Sequence, residues 1–107
     1  MTEAELQQAV IEMAAVYGVR VYHTHDSRRS APGFPDLVLT GRFTEFWELK
    51  AEKGRVSVAQ REWIDALKAS GQQAHVFRPR DWNVMHRRMR NLAPNRPSPG
   101  MAPSRRP

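Results

Sequence analysis

Two carboxylates and a lysine stand at spacings that suit metal-assisted chemistry. Asp36 follows a proline, and Glu48 and Lys50 lie two residues apart further along the chain. Because side chains two apart on a strand point to the same side, Glu48 and Lys50 are expected to share a face, and Asp36 approaches them if its strand pairs with theirs. Two carboxylates held close together raise each other's pKa unless a cation lies between them.

The residue types favour a hard divalent cation. Oxygen ligands without histidine or cysteine suit Mg²⁺ or Mn²⁺, which keep several waters and often contact substrate phosphate. The chain contains no cysteine, which excludes disulfides, zinc–thiolate sites and thiol nucleophiles. Lys50 supplies a positive charge that can orient an attacking water or stabilise the phosphate in the transition state. These residues therefore predict metal-assisted attack on a phosphodiester.

The hydrophobic pattern indicates which elements position these residues. It predicts, in chain order, a helix at 3–17, strands at 19–23, 36–40 and 44–50, a helix from 57 to near 71, a strand at 74–77 and a last helix after 81. Thr2, Ser57 and Asp81 are the predicted N-caps, and Gly18 ends the first helix. The second and third strands form a hairpin. This order predicts an α/β domain, a mixed sheet flanked by helices.

Composition and charge limit the number of domains and the class of binding partner that the chain can have. The chain of 107 residues suits one core, and we expect a folded domain at 1–92. Residues 93–107 hold five prolines and three arginines, which predicts a disordered tail. The net charge of +6 favours a polyanion such as nucleic acid. An acidic start and the lack of a long apolar run predict a cytoplasmic protein without a membrane span.

Basic and polar residues near the two motif strands are candidates for contact with a nucleic-acid backbone. They are Ser27, Arg28, Arg29, Ser30, Lys53 and Arg55. Arginine offers a bidentate fork that suits phosphate. Arg87, Arg88 and Arg90, late in the chain, are expected either to contact phosphate or to form a solvated face.

Four sequence elements carry a resemblance to a known family. Gly33-Phe34-Pro35-Asp36 and Glu48-Leu49-Lys50 resemble the PD-(D/E)xK motif of restriction-endonuclease-like nucleases. The stretch from residue 3 to about 82 more closely resembles the VRR-NUC (virus-type replication-repair nuclease) domains of phages and bacteria. These domains share an opening helix with Glu-x-x-Leu-Gln, here residues 3–7, and a helix that begins S-x-x-Q, here residues 57–60.

The resemblance implies a restriction-endonuclease-like fold and Mg²⁺-dependent DNA cleavage, with Mn²⁺ able to substitute. It also implies a homodimer that acts on branched DNA such as Holliday junctions, in phage or bacterial replication, recombination or repair. The metal ligands would be Asp36, Glu48, the backbone carbonyl of Leu49, and Glu3. Lys50 would assist the nucleophile or the scissile phosphate. Gln60 would support the site through a hydrogen bond to water, to Lys50 or to the strand backbone.

Two questions stay open at this point. The carboxylate of the first helix could be Glu3 or Glu5, and Glu3 is favoured because it shares a helix face with the apolar residues Leu6 and Val10. The function also has alternatives from other classes. The domain could bind DNA without cutting it, or it could be a subunit of a larger phage DNA-processing complex that needs a partner for activity.

Overall fold

The computed structural model describes residues 1–24 and 31–94 of the chain. Its elements are α1 (Glu3–Tyr17), β1 (Arg20–His23), β2 (Leu37–Thr40), β3 (Thr44–Leu49), α2 (Val58–Ala69), β4 (Gln73–Phe77), a single 3₁₀ turn (Pro79–Asp81) and α3 (Trp82–Leu92). The predicted order of helices and strands is confirmed, and the 3₁₀ turn is an addition. Residues 95–107 lie outside the described residues, so the disordered tail stays a prediction.

The four strands form one mixed sheet in the order β1-β2-β3-β4. β1 pairs antiparallel with β2, and β2 pairs antiparallel with β3 as the predicted hairpin. β4 returns parallel to β3 through α2, since a parallel neighbour needs a crossover connection. β3 therefore lies inside the sheet, with a hydrogen-bonded strand on each side.

The side chains of β3 alternate between two covered faces of the sheet. Trp47 and Leu49 belong to the main core, which buries the apolar residues of α1 and α3. Phe46 and Glu48 point to the opposite face, which α2 covers. Because both faces are covered, any charge on β3 is buried and needs a partner.

The helix starts are fixed by local hydrogen bonds, and one predicted cap is wrong. Thr2 and Ser57 form capping boxes with the third residue of α1 and α2, as the sequence indicates. Gly18 takes the left-handed conformation (φ 71°) that ends α1. Asp81 makes no side-chain cap for α3. Its carboxylate instead accepts a 2.8 Å hydrogen bond from the Arg78 N–H, which holds the 3₁₀ turn.

A buried ion pair joins β3 to α3 on the core side of the sheet. Glu45 is fully buried and accepts two hydrogen bonds from the Arg88 guanidinium, at 2.7 and 2.8 Å. The Trp47 indole N–H donates to the same carboxylate at 2.9 Å. Arg88 was expected to contact phosphate or solvent, and that prediction is wrong because its charge is used inside the fold. Arg87 and Arg90 remain exposed.

Within the described residues, no helix is long and apolar enough to cross a membrane.

Breaking the Glu45–Arg88 pair should destabilise the fold strongly. We expect Arg88→Met to lower the free energy of unfolding by about 3 kcal/mol, because it leaves a buried carboxylate without its cation. Arg90→Met, on the exposed side of the same helix, should change it by less than about 0.5 kcal/mol. Urea denaturation at pH 7 measures both. Equal effects of the two substitutions would show that the pair does not hold α3 on the sheet.

Candidate active site

The predicted acid pair and lysine meet where β2 begins and β3 ends. Asp36 directly precedes β2, and its Oδ2 accepts a 2.9 Å hydrogen bond from the Leu49 N–H. The Lys50 ammonium lies 3.7 Å from Glu48 Oε2. The Lys50 N–H donates to the Phe77 carbonyl at 3.0 Å, so pairing with β4 continues past the end of β3. Backbone hydrogen bonds on both sides therefore fix the strand that carries the cluster.

Gln60 reaches the site from the first turn of α2. Its Nε2 donates to Glu48 Oε2 at 3.0 Å, and its Oε1 accepts from the Ser57 N–H at 2.8 Å. The sequence places Gln60 near the site but proposes water, Lys50 or the strand backbone as its partner. The observed partner is the Glu48 carboxylate itself. One amide thus caps α2 and orients the buried acid.

Gly33 brings the loop before Asp36 onto α2. Its φ of 86° lies in the left-handed region, and a Cβ at this position would lie 2.3 Å from the Ala59 carbonyl carbon. Only glycine permits both the conformation and the close approach. The glycine of the Gly33-Phe34-Pro35-Asp36 motif therefore has a packing role that helps to place Asp36 beside β3.

The Glu48 carboxyl group is held in a strongly perturbed environment. Its residue is only 1% exposed, and burial together with the neighbouring Asp36 charge raises the pKa of Glu48 to about 8. Lys50 opposes this rise in the pKa, and Glu3 adds slightly to it. Glu48 Oε1 is buried, and no donor in the described part of the chain reaches it. Without a bound cation Glu48 therefore keeps its proton below about pH 8, and its ionised form would bring more negative charge into the site than Lys50 offsets.

The first-helix carboxylates have different surroundings. Glu5 Oε1 accepts a 2.8 Å hydrogen bond from the Thr2 N–H, and this bond lowers the pKa of Glu5. Glu5 is therefore engaged in the cap of α1. Glu3 is exposed but lies near enough to influence Glu48, and its Oε2 lies 3.5 Å from where a Cβ on Gly54 would be. The position of Glu3 favours it over Glu5 as a candidate at the site.

The oxygen donors present suit a hard divalent cation. A buried, unpartnered carboxylate oxygen beside a second carboxylate is the environment that such an ion would relieve. Among the described residues, no group of three or more His, Cys, Asp and Glu side chains is close enough to hold a metal. The direct protein ligands would thus be two carboxylates and a backbone carbonyl, with water completing the shell, as is usual for Mg²⁺.

The candidate backbone contacts are only partly within the described residues. Lys53 and Arg55 are exposed on the loop between β3 and α2. Ser27, Arg28, Arg29 and Ser30 lie outside the described residues. The sequence analysis missed Arg78, whose Nη1 donates to the carbonyls of Ala51, Glu52 and Gly54 at 2.6, 3.1 and 2.7 Å. Nothing in the sequence near Arg78 points to these distant carbonyls.

A mixed sheet between helices, with an acid pair and a lysine where its inner strands end, defines the class as restriction-endonuclease-like. The VRR-NUC domain model matches residues 3–81. A solved structure described as a VRR_NUC domain protein is similar in fold, with a TM-score of 0.63 at 24% sequence identity, covering 79% of this chain and 83% of that chain. No curated protein matches significantly. The chain belongs to the VRR-NUC family, a family of nucleases.

The raised pKa of Glu48 should make the metal-free protein less stable as the pH rises. Between about pH 4.5 and 8 the folded state retains a proton that the unfolded state has lost. This contribution to stability is complete below pH 4.5 and is lost as the pH rises through about 8. Glu48→Gln stays neutral at every pH. Across this pH range its free energy of unfolding should therefore rise relative to that of the wild type by a few kcal/mol, on the order of 1.4 kcal/mol per pH unit.

Urea denaturation with chelator at pH 5 and pH 8 measures this difference. Glu62→Gln, at an exposed position of α2, is the matched control and should follow the wild type. Parallel pH profiles for wild type and Glu48→Gln would show that the Glu48 carboxyl group is not perturbed.

The contact between Gly33 and α2 predicts an unequal effect of two alanine substitutions. Gly33→Ala and Gly71→Ala both place a side chain at positive φ, near 86° and 88°. Only at Gly33 does the new Cβ meet backbone, since nothing lies within 4 Å at Gly71. We expect Gly71→Ala to cost about 1–2 kcal/mol from strain alone and Gly33→Ala clearly more. Thermal unfolding compares them, and equal losses would contradict the close approach.

Proposed function

We propose that the chain is a divalent-metal-dependent DNA endonuclease that hydrolyses phosphodiester bonds. The observation that carries the proposal is the buried Glu48 carboxyl group, which has an unpartnered oxygen and lies beside the half-buried Asp36 and the buried Lys50. Such a cluster binds a cation readily but repels a phosphodiester when it is metal-free. Family membership supports nuclease chemistry in general. The metal, the DNA substrate and the mode of cleavage are the added steps of the proposal.

Each polar residue of the site has a role in this scheme. Asp36, Glu48 and the Leu49 carbonyl would hold Mg²⁺, or Mn²⁺ in its place, and Glu3 would act through a bridging water. Such a cation acts as a Lewis acid on the phosphoryl oxygen and lowers the pKa of water. The Leu49 N–H holds Oδ2 of Asp36. This hydrogen bond also limits the direction in which the other carboxylate oxygen of Asp36 can point.

Lys50 and Gln60 both approach Oε2 of Glu48, and each would have its own role. The Lys50 ammonium is mostly buried and lies at the end of its strand, where it can hydrogen-bond an attacking water or a phosphate oxygen. Gln60 donates its amide N–H to the Glu48 carboxylate. This hydrogen bond would keep the carboxylate oriented when the charged substrate binds. Gln60 is therefore a positioning residue.

The substrate and assembly are proposed from charge and size. The net charge of +6 and the exposed Lys53 and Arg55 support contact with a DNA backbone. Ser27, Arg28, Arg29 and Ser30, which precede the motif in sequence, are further candidates for this contact. A domain this small contacts a short stretch of DNA, so we propose a homodimer on branched DNA such as a Holliday junction. We also propose cytoplasmic action in phage or bacterial replication, recombination or repair, which the lack of cysteine suits.

One observation favours a second candidate, in which a partner protein completes the enzyme. Within the described residues the acid cluster has only two close carboxylates, because Glu3 does not form a three-residue group with Asp36 and Glu48. A subunit of a larger phage DNA-processing complex could receive a further ligand or its DNA specificity from that partner. A DNA-binding module without catalysis is less favoured, because Asp36, Glu48 and Lys50 are assembled together.

Cleavage of labelled four-way junction, flap, single-stranded and duplex DNA by the purified full chain tests the proposal. We expect cutting with Mg²⁺ or Mn²⁺, none with chelator, and a loss of about 100-fold or more in Asp36→Asn and Lys50→Met. Gln60→Ala should lose about 10–100-fold, as an outer-shell partner does. Exposed Asp65→Asn and Lys68→Met on α2 are matched controls and should cut normally.

Metal binding is measured separately from catalysis by thermal unfolding. Mg²⁺ should raise the Tm of the wild type and of Asp65→Asn, but much less that of Asp36→Asn. If metal stabilises the wild type and DNA is bound but never cut, the partner-dependent reading replaces the autonomous enzyme. If metal has no effect on Tm and no substrate is cut, metal-dependent catalysis by this site is wrong.

A further inference from the structure

A shallow apolar pocket is lined mostly by residues of α2, the helix whose Gln60 contacts the acid cluster of Asp36 and Glu48. It has a volume of about 290 Å³ and is lined by Pro32, Ala59, Glu62, Trp63 and Ala66. This is near the lower end of the range for small-molecule sites, roughly 300–1,000 Å³. The pocket is therefore large enough for one flat heterocycle and too small for a long chain.

The pocket presents a held aromatic ring. Trp63 is only partly buried, and its ring centre lies 5.0 Å from that of Phe34 in an edge-to-face arrangement. Phe34 packs in the same way on Phe46 of β3, at 6.2 Å. These contacts restrict the rotation of Trp63 without covering it completely. A restricted, accessible indole is a suitable surface for stacking of a nucleobase.

The charge of the lining favours a base over a phosphate. Among the lining residues that the structure describes, Glu62 alone is charged, and its carboxylate would repel a phosphate group. The same carboxylate can accept a hydrogen bond from an exocyclic amino group, as acidic side chains do with cytosine. An uncharged ring with an amino group therefore fits the pocket better than any part of the sugar–phosphate backbone.

Helix α2 connects the pocket to the acid cluster. Ala59, which lines it, directly precedes Gln60, and the Gln60 amide contacts Glu48. Trp63 follows Gln60 by three residues, so the two side chains lie on neighbouring turns of one helix face. A single strand whose phosphate lies at Glu48 would therefore pass Gln60 and meet Trp63 on the same face of α2.

We propose that this pocket, the Trp63 pocket, captures one unpaired base next to the scissile phosphate. The proposal rests on the proposed nuclease function and adds a cause for structure selectivity to it. A paired base in a continuous duplex stays stacked and cannot enter the pocket, whereas a base at a branch or in a single strand enters at lower cost. Glu62 makes cytosine a better occupant than thymine.

Tryptophan fluorescence tests the pocket without any cleavage. In a Trp82→Phe background, Trp63 is the partly exposed indole and Trp47 is fully buried. Single-stranded hexamers of dC, of dT and of abasic sites are added in chelator, and binding is followed in parallel by anisotropy of a labelled strand. We expect quenching of the Trp63 emission in the order dC, dT, abasic, with little or none for the abasic strand.

Two substitutions on α2 separate the pocket from the general charge of the surface. Ala66→Phe fills the pocket, whereas Ala69→Phe adds the same ring at an exposed position that does not line it. We expect Ala66→Phe to abolish the quenching and to weaken hexamer binding about tenfold, as loss of one stacked base does. Ala69→Phe should do neither. Glu62→Gln should reduce the preference for dC over dT.

The outcomes distinguish this proposal from the nuclease proposal. Equal quenching by abasic and dC hexamers, or unchanged quenching in Ala66→Phe, would overturn the base pocket whether or not the protein cuts DNA. Quenching that follows the expected order supports the pocket even if no substrate is cut, in which case only the proposal of an autonomous nuclease fails. Circular dichroism of each variant shows that it is folded before it is compared.

Discussion

The burial of two glutamates on one inner strand is the constraint on which the structure depends. β3 has hydrogen-bonded neighbours on both sides and covered faces above and below, so neither Glu45 nor Glu48 reaches bulk water. On the core face, the Arg88 guanidinium meets both oxygens of Glu45. On the α2 face, Glu48 has one amide N–H, a lysine at 3.7 Å and a bare oxygen. The fold thus neutralises one acid completely and leaves the other in need of a cation, and that difference separates a structural charge from a candidate catalytic one.

Because Glu48 is not fully neutralised, hydrogen bonds from other parts of the domain have to hold the site in place. Gln60 links the start of α2 to Glu48, because the same amide accepts from the Ser57 N–H and donates to the acid. Arg78 donates hydrogen bonds to three carbonyls of the loop after β3, and these bonds fix the path of the chain directly after Lys50. In both cases a side chain satisfies backbone groups that would otherwise lack a hydrogen-bond partner. The rigidity of the site therefore comes from hydrogen bonds that also define where α2 begins and where β3 ends.

The sequence predicts the order of elements and the acid cluster because both depend on local patterns. Period-two alternation places Glu48 and Lys50 together, and the short hairpin brings Asp36 to them. The Glu45–Arg88 pair is 43 residues apart, and no local pattern encodes which arginine of α3 turns inward. Asp81 shows the same limit at short range, because an aspartate before a helix can cap either the helix or the turn that precedes it. Distant pairings of charges thus required the three-dimensional arrangement, whereas strand faces and capping boxes did not.

The small size of the domain supports the structure selectivity that we propose for it. Within residues 1–24 and 31–94, the acid cluster is bordered by the start of β2, the end of β3, the first turn of α2 and Glu3 of α1. The hairpin between the motif strands is closed by the Gly41–Phe43 backbone hydrogen bond and carries no inserted loop that could read a sequence of bases. The proposed recognition of DNA shape, through a second copy or through an unpaired base, would need fewer contacts than the reading of a base sequence. The size of the fold therefore supports the proposal of structure-selective rather than sequence-specific cleavage.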